Sequence, residues 1–565
     1  MPSIRLPVFP EMLRFPVELP LRGLALIGLC ALYLLAGLFG HDPWKSDDAI
    51  HFGVAYGFLN GDGLQGGWLV PHLAGEPFLE APPPLYYWVA AACAKLLGWL
   101  LTPPDATRLA SALFGAAFLG LLAAASRVLY ANSSSNRDIV SEEGNVAPLI
   151  AIGCLGLLVP IHDTQPLIAL LAASAATYLG LAVLPQRPLA GGIQAGLGLG
   201  LGFLAAGSIA VITLAPLLLL APLHRHWRSS ASLRGIALAL LVAAPLIAIW
   251  PIMLAWQAPH FFSAWWSHSA NSLVFQTGWR QSLLPLAELM GWFTWPALPL
   301  ALYTLWIQRH RLNQPGIVLP LIGLAALLLE LVFIFGPRPL FALPLLLPLI
   351  LLATVGAGRL RRGAANAFDW FGMMTLTLVA GLLWLGGSAL TLGIPTRLAV
   401  RATVLEPGFV STFSPLPFII AVALLLAWLW FIFASPRSPW RATTHWAAGV
   451  TLMWALVATL WLPWIDYGKS YRNVVLDLKR VISSSHGCIA GHDIGGAQRL
   501  SLQYFAGIVT VRTNTRTATT CPLLLEQGAV RGATSLPPPG WRKIWEGHRP
   551  SDRSERLRLF QRNSD

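Results

Sequence analysis

The chain has 565 residues, 55% of them hydrophobic and only 11% charged, with a formal net charge of +13 and a mean hydropathy of +0.62; a soluble domain carries about 25% charge. This excludes a soluble or disordered protein. Much of the arginine sits in short loops between apolar runs, so the positive charge reads as a topology signal and not as a nucleic-acid footprint. Twenty-four Trp, 44 Pro and 51 Gly suit a polytopic helical membrane protein, where interfacial aromatic belts, kinks and close helix contacts are frequent.

Apolar runs of about 17 to 25 residues can cross a hydrocarbon core of about 30 Å as helices. Such runs lie near 22–41, 106–130, 147–161, 166–184, 191–207, 208–223, 234–256, 286–308, 316–335, 339–357, 370–393, 416–434 and 445–462, about thirteen spans. The run 85–101 is long enough to cross but carries Lys95 and follows Pro82-Pro83-Pro84. If it lies along the interface, the arginines at 5, 14 and 22, at 225, 228 and 234, at 309 and 311, at 359, 361 and 362, and at 437 and 441 share one face. That face is cytoplasmic by the positive-inside rule. The N-terminus is then inside, the first run is an uncleaved anchor, and 42–105, 162–165, 257–285, 336–338, 394–415 and the tail face outward.

The expected architecture is an all-α membrane domain over 1–462, with interfacial helices in its first outer loop, and a small outer α/β domain over 463–565. In the tail, NVVLDLKRVISSS has the pattern of an amphipathic helix. CIAG, GIVTVR, CPLLLEQ, WRKIWEG and ERLRLFQR have that of short strands. No Cys/His cluster has zinc-site spacing. An oxidising compartment would permit a Cys488 to Cys521 disulfide, although two cysteines do not fix their own distance. The polar connector NSSSNRDIVSEEGN carries a glycosylation triplet at Asn132, which the cytoplasmic assignment would silence.

The first outer loop gathers the unusual residues: Asp42, Asp47, Asp48, Asp62, Glu76 and Glu80, with His51 and His72. Asp47-Asp48 opens a stretch patterned as an interfacial amphipathic helix, placing both acids at its dipole-positive end; capping alone also explains acids there. Glu80 precedes a proline run and the aromatic cluster that contains Tyr86. In the second outer turn, Pro160 to Pro166, Asp163 either faces the site or caps the next helix. The segment AWWSHSANSLVFQTGWRQ sets His268 and Arg280 among tryptophans that an interface belt also explains. Arg338, in GPRPLFALPLLLP, is an interfacial anchor or a partner for a lipid phosphate, which its planar fork suits.

The segment PWKSDDAIHFGVAYGFLNGDGLQGGWLVPHLAGEPFLEAPPPLYYW, followed by ATRLASAL, resembles the start of polyprenyl-phosphate-sugar glycosyltransferases related to protein O-mannosyltransferases and the lipid A aminoarabinose transferase. The HDTQP turn, the run GLGFLAAGS, the His268 region and PRPLFALPLLLP follow in the family's order. The resemblance covers roughly 20–360 and implies the GT-C membrane fold. It implies transfer of a sugar from an undecaprenyl-phosphate carrier, with inversion, to lipid A, another envelope glycan or a protein hydroxyl, outside a bacterial inner membrane. Asp47 matches the catalytic or acceptor-orienting acid of the family's Asp-Glu pair, with Asp48 in place of Glu, and Asp163 matches the acid of the second outer loop. His51, His72, Tyr86, Arg280 and Arg338 are then expected around substrate and lipid phosphate, and Glu80 with His268 around a divalent metal ion. The chain departs from the family where two lysines are expected, at Ala81 and Ala206. A lipid-linked sugar flippase is the rival reading, since many spans with Gly and Pro suit it equally; a catalytically degenerate scaffold is a third.

Overall fold

The computed structural model describes residues 19–45, 47–61, 67–130, 137–272, 278–482, 487–516, 519–530, 536–550, 552 and 554–563. Asp62, the Asn132 triplet and the arginines at 5 and 14 lie outside them. In chain order the helices and strands are α1 (Leu24–Leu35), α2 (Asp47–Asn60), β1 (His72–Leu73), β2 (Glu76–Pro77), α3 (Leu85–Leu97), α4 (Pro103–Tyr130), α5 (Arg137–Gly153), α6 (Leu167–Val183), α7 (Pro188–Ala206), α8 (Ser208–Leu220) and α9 (Ser230–Gln257). There follow α10 (Pro259–Ser272), α11 (Trp279–Phe293), α12 (Ala297–Ile307), α13 (Pro315–Glu330), α14 (Leu346–Ala357), α15 (Arg362–Leu392), α16 (Thr396–Leu405), α17 (Pro415–Ala434), α18 (Arg441–Leu456), α19 (Leu462–Lys469) and α20 (Arg472–Val481). The tail adds β3 (Ile489–His492), α21 (Gly496–Ala506), β4 (Thr510–Thr513), β5 (Leu523–Ala529), β6 (Trp541–Gly547) and β7 (Glu555–Arg562).

Among the described residues, seven helices are long and apolar enough to cross a membrane, and shorter apolar helices accompany them. Leu85–Leu97 apart, these helices fall one for one on the apolar runs of the sequence. The run 286–308 departs from a single helix. It breaks between α11 and α12, where Pro296 has no N–H to give and Thr294 Oγ1 donates to the Met290 carbonyl at 2.6 Å. The stretches 257–285 and 394–415, expected as loops, carry α10 and α16; each helix starts at or just after a proline, where a missing N–H costs nothing.

The glycines of α7 let three helices close on one another. A Cβ at Gly192 would lie 2.4 Å from the Gly235 carbonyl oxygen of α9, and one at Gly196 would lie 2.4 Å from that of Ala239. Small residues of this kind permit tight packing between membrane helices, where exclusion of water supplies no drive.

The strands expected in the tail form one five-stranded sheet of order β4-β3-β5-β7-β6. Strand β3 runs parallel to β4 and β5, while β7 is antiparallel to β5 and β6. The parallel β3–β4 pair needs a crossover, and α21 supplies it. Sequence reading missed this helix, whose eleven residues GAQRLSLQYFA are only weakly amphipathic. Cys488 and Cys521 form a disulfide with their Cα atoms 5.1 Å apart. The sheet is docked on the first outer loop. Ala497 and Leu500 of α21 share a core with Ala49, Phe52 and Leu73, Tyr504 stacks edge-on against Phe52 and Tyr56, and Arg499 pairs with Glu76 at 2.8 Å. The elements carrying the acids are thereby held between the helical bundle and the tail.

Candidate active site

Residue 48 organises this region. Arg108, five positions after Pro103 and completely buried, donates to both Asp48 oxygens, from Nη2 at 2.8 Å and Nε at 3.3 Å. Its remaining donors reach the carbonyls of His41 and Asp42, each at 2.9 Å. Asp48 also accepts from the backbone N–H of Trp44 at 3.0 Å, which caps the entry to α2, and from that of Thr164 at 2.8 Å. One carboxylate therefore ties together the first outer loop, α4 and the second outer turn. Burial alone would raise the Asp48 carboxyl, but the Arg108 guanidinium overcomes that and holds it well below the usual carboxylate range.

The second outer turn is clamped on its other side by Tyr86 and Ser111. The Tyr86 hydroxyl donates to Ser111 Oγ at 2.6 Å, Ser111 donates to the Asp163 carbonyl at 2.6 Å, and the N–H of Gln165 donates to Tyr86 at 3.1 Å. With its backbone fixed at both neighbours, Asp163 holds its side chain within electrostatic reach of Asp47 and Asp48. Burial, then the charge of Asp48, pushes the Asp163 carboxyl from its ordinary 3.8 up to about 8, so at neutral pH it keeps its proton. Asp47, half-buried at the start of α2, has no hydrogen-bond or ion-pair partner among the described residues, and burial raises its carboxyl as well. The result is one spent carboxylate, one acid able to donate and one free acceptor.

The other expected site residues divide. His51 lies on α2 with Nδ1 2.7 Å from the Tyr87 hydroxyl, and burial lowers its imidazole to about 4, leaving it neutral. His72 is buried in β1; its carbonyl oxygen would be 2.9 Å from a Cβ at Gly57, so a glycine there lets the hairpin press on α2. Tyr86 is fully buried and positions the second turn, so it does not face open space. Glu80, His268, Arg280 and Arg338 are exposed, and no described contact joins them to the aspartates. The guanidiniums of Arg280 and Arg338 lie 5.4 and 6.0 Å from the rings of Trp279 and Phe341. Among the described residues no group of three or more His, Cys, Asp or Glu is placed to hold a metal ion. Glu80 and His268 therefore belong to no such group. At the two positions where the resemblance expects lysine, Ala81 and Ala206 are buried, and Pro83 packs 3.2 Å from a Cβ built at the neighbouring Gly207.

No protein-family model matches the chain. The chain is 27% identical over 506 residues, 85% of its length and 83% of the relative's, to the undecaprenyl phosphate-alpha-4-amino-4-deoxy-L-arabinose arabinosyl transferase of Pseudomonas paraeruginosa. It is 27% identical over 452 residues to the protein of that name in Pseudomonas aeruginosa, covering 76% of this chain and 73% of the relative. The crystal structure of ArnT from Cupriavidus metallidurans bound to undecaprenyl phosphate superposes with a TM-score of 0.65 at 13% identity, over 95% of this chain and 97% of the other. The chain is a membrane glycosyltransferase of the GT-C fold.

Sequence reading passed over four residues that surround the first outer loop in the structure. A lone arginine early in an apolar helix is expensive and therefore a signal, and Arg108 was legible on that ground. Arg472, Asp466 and Lys469 gave no such signal, because they belong to the tail's junction and meet the first loop only through tertiary contact. Arg472 pairs with both oxygens of Asp42. Asp466 accepts from the Asp42 N–H at 2.9 Å and from Trp44 Nε1 at 2.8 Å. Lys469 lies over the Trp44 ring, 4.8 Å from its centroid.

Proposed function

We propose that this chain moves a sugar from an undecaprenyl-phosphate carrier to an envelope acceptor on the outer face of a bacterial inner membrane, and that lipid A phosphate is the favoured acceptor class. The observation that carries the reading is the unpartnered Asp47 carboxylate, next in the chain to Asp48 anchored by Arg108 and close enough to the turn of Asp163 for burial and the Asp48 charge to raise that carboxyl. The orientation is supported by the positive-inside rule: if the apolar helices alternate in direction, the arginines of the short loops fall at the ends opposite these acids.

In this reading an acceptor oxygen attacks the anomeric carbon from the side opposite the phosphate. The new carbon–oxygen bond forms as the bond to phosphate breaks, and the electron pair leaves with undecaprenyl phosphate. Attack from the opposite side inverts the centre through an oxocarbenium-like state. A hydroxyl acceptor gives its proton to Asp47; a phosphate acceptor has none to give, and Asp47 then orients it. Asp163 in its protonated form donates a hydrogen bond to sugar or phosphate oxygen without adding negative charge.

Purified full-length protein is to be supplied with undecaprenyl-phosphate-linked 4-amino-4-deoxy-L-arabinose and lipid A, with product read by mass spectrometry. Asp47→Asn is expected to keep the fold and lower transfer by about 10²-fold or more. Equal transfer by wild type and Asp47→Asn would remove Asp47 from the reaction. Passage of the donor across vesicles without glycosylated product would replace transfer with flipping.

A further inference from the structure

The acids of this site face a charge problem. A phosphate brought up to Asp47 is repelled unless a cation accompanies it, and the nearby cations are largely spent. Arg108 is consumed by Asp48, Arg472 by Asp42 and Lys45 by Glu555. Arg549, which donates to the Lys469 carbonyl at 3.3 Å, is paired with Asp552 at 2.7 Å. Lys469 differs from all of these. It ends α19, is exposed, and has no acid partner or hydrogen bond from its ammonium among the described residues.

Its location is fixed by the same network that fixes the acids. The Trp44 ring beneath the ammonium is held at both ends, by the backbone bond to Asp48 and by the indole bond to Asp466 at 2.8 Å. Asp466 lies in α19 one turn before Lys469, so ring and ammonium are carried by mutually bonded elements. The Lys469 charge is also one of those felt by Asp163. A lysine at a helix C-terminus stabilises the helix dipole, but that role would not require it to lie over the residue that caps α2.

We propose, resting on the transferase reading above, that Lys469 is a phosphate-binding residue of the site, its ammonium held over Trp44, whose backbone is bonded to Asp48, to neutralise a phosphate group at the membrane surface. A compact ammonium suits a phosphate as a point charge. Two ligands could bring that group, the lipid carrier and a phosphorylated acceptor, and the test separates them.

Undecaprenyl phosphate and lipid A are each titrated onto the full-length protein in nanodiscs, for wild type, Lys469→Met and Lys469→Arg. Lys469→Met, which keeps an unbranched apolar stem over Trp44, is expected to weaken one of the two ligands by about tenfold. Lys469→Arg should stay within about threefold of wild type, since the charge is kept. Weakened undecaprenyl phosphate assigns Lys469 to the donor side, and weakened lipid A alone assigns it to the acceptor side. Unchanged affinity for both in a Lys469→Met protein that melts like wild type overturns the proposal, as does a Lys469→Arg variant as weak as Lys469→Met. These titrations need no turnover, so a wild type that binds but never transfers would sink the transferase reading while still deciding the role of Lys469.

Discussion

The outer side of the molecule carries two groups of polar residues with opposite physical character. Around Asp48, charges are buried and both carboxylate oxygens of Asp48 are bonded: Arg108 is 0% exposed and Asp48 3%. Around Glu80, His268, Arg280 and Arg338 the side chains are exposed, and the two arginines lie against single aromatic rings. The first group is a pre-built frame, since a buried ion pair is retained only when its geometry is complete. The second can rearrange around a ligand at little cost. Asp47 and Lys469 lie on the border, held by the frame and not consumed by it.

The sharpest way to break the contrast is to remove the frame's cation. Arg108→Leu leaves Asp48 charged and buried, and is expected to cost about 3–5 kcal/mol of stability, read as loss of folded protein in detergent; adding Asp48→Asn should recover part of it by deleting the stranded charge. Next comes Asp163. Its folded carboxyl is raised to about 8 from 3.8, so between those values the native state binds more protons than the unfolded one, and stability falls as pH rises through that window. Asp163→Asn should flatten this decline in melting temperature against pH, while an unchanged slope would mean that other groups set it.

A smaller effect is expected where the tail meets the loop. Arg472 pairs with Asp42, but the arginine is 52% exposed, so after solvent screening Arg472→Ala should cost about 1 kcal/mol, visible as faster proteolysis between α19 and α20. The smallest belongs to the exposed group. Arg280→Ala and Arg338→Ala should each alter stability by less than about 0.5 kcal/mol; a loss of transfer without a change in melting would then show that these residues meet substrate and not structure.

Much of this was legible in one dimension. The apolar runs gave the bundle, Asp47-Asp48 before an amphipathic stretch gave the start of α2, and five alternating segments gave all five strands of the tail sheet. The division of labour among the acids was not legible. Asp48 and Asp163 have similar local surroundings in the sequence, an acid at the head of a helix, yet one is pinned by Arg108 and ionised while the other is protonated. Tyr86 is part of an aromatic cluster in sequence, and only its hydroxyl bond to Ser111 makes it a clamp. The crossover helix α21 was missed because its burial comes from α2, a segment more than four hundred residues earlier.

Hydrophobic length and charge placement are additive along a chain, so the sequence alone determined that this protein lies in a membrane, how its helices alternate and which loops gather acid. Proton affinity and pairing depend on distances of a few ångströms between residues 42, 44, 48, 108 and 466, and these are set by packing between elements remote in sequence. Which aspartate is anchored, which is free and which lysine lies over Trp44 were therefore decided only by the tertiary structure.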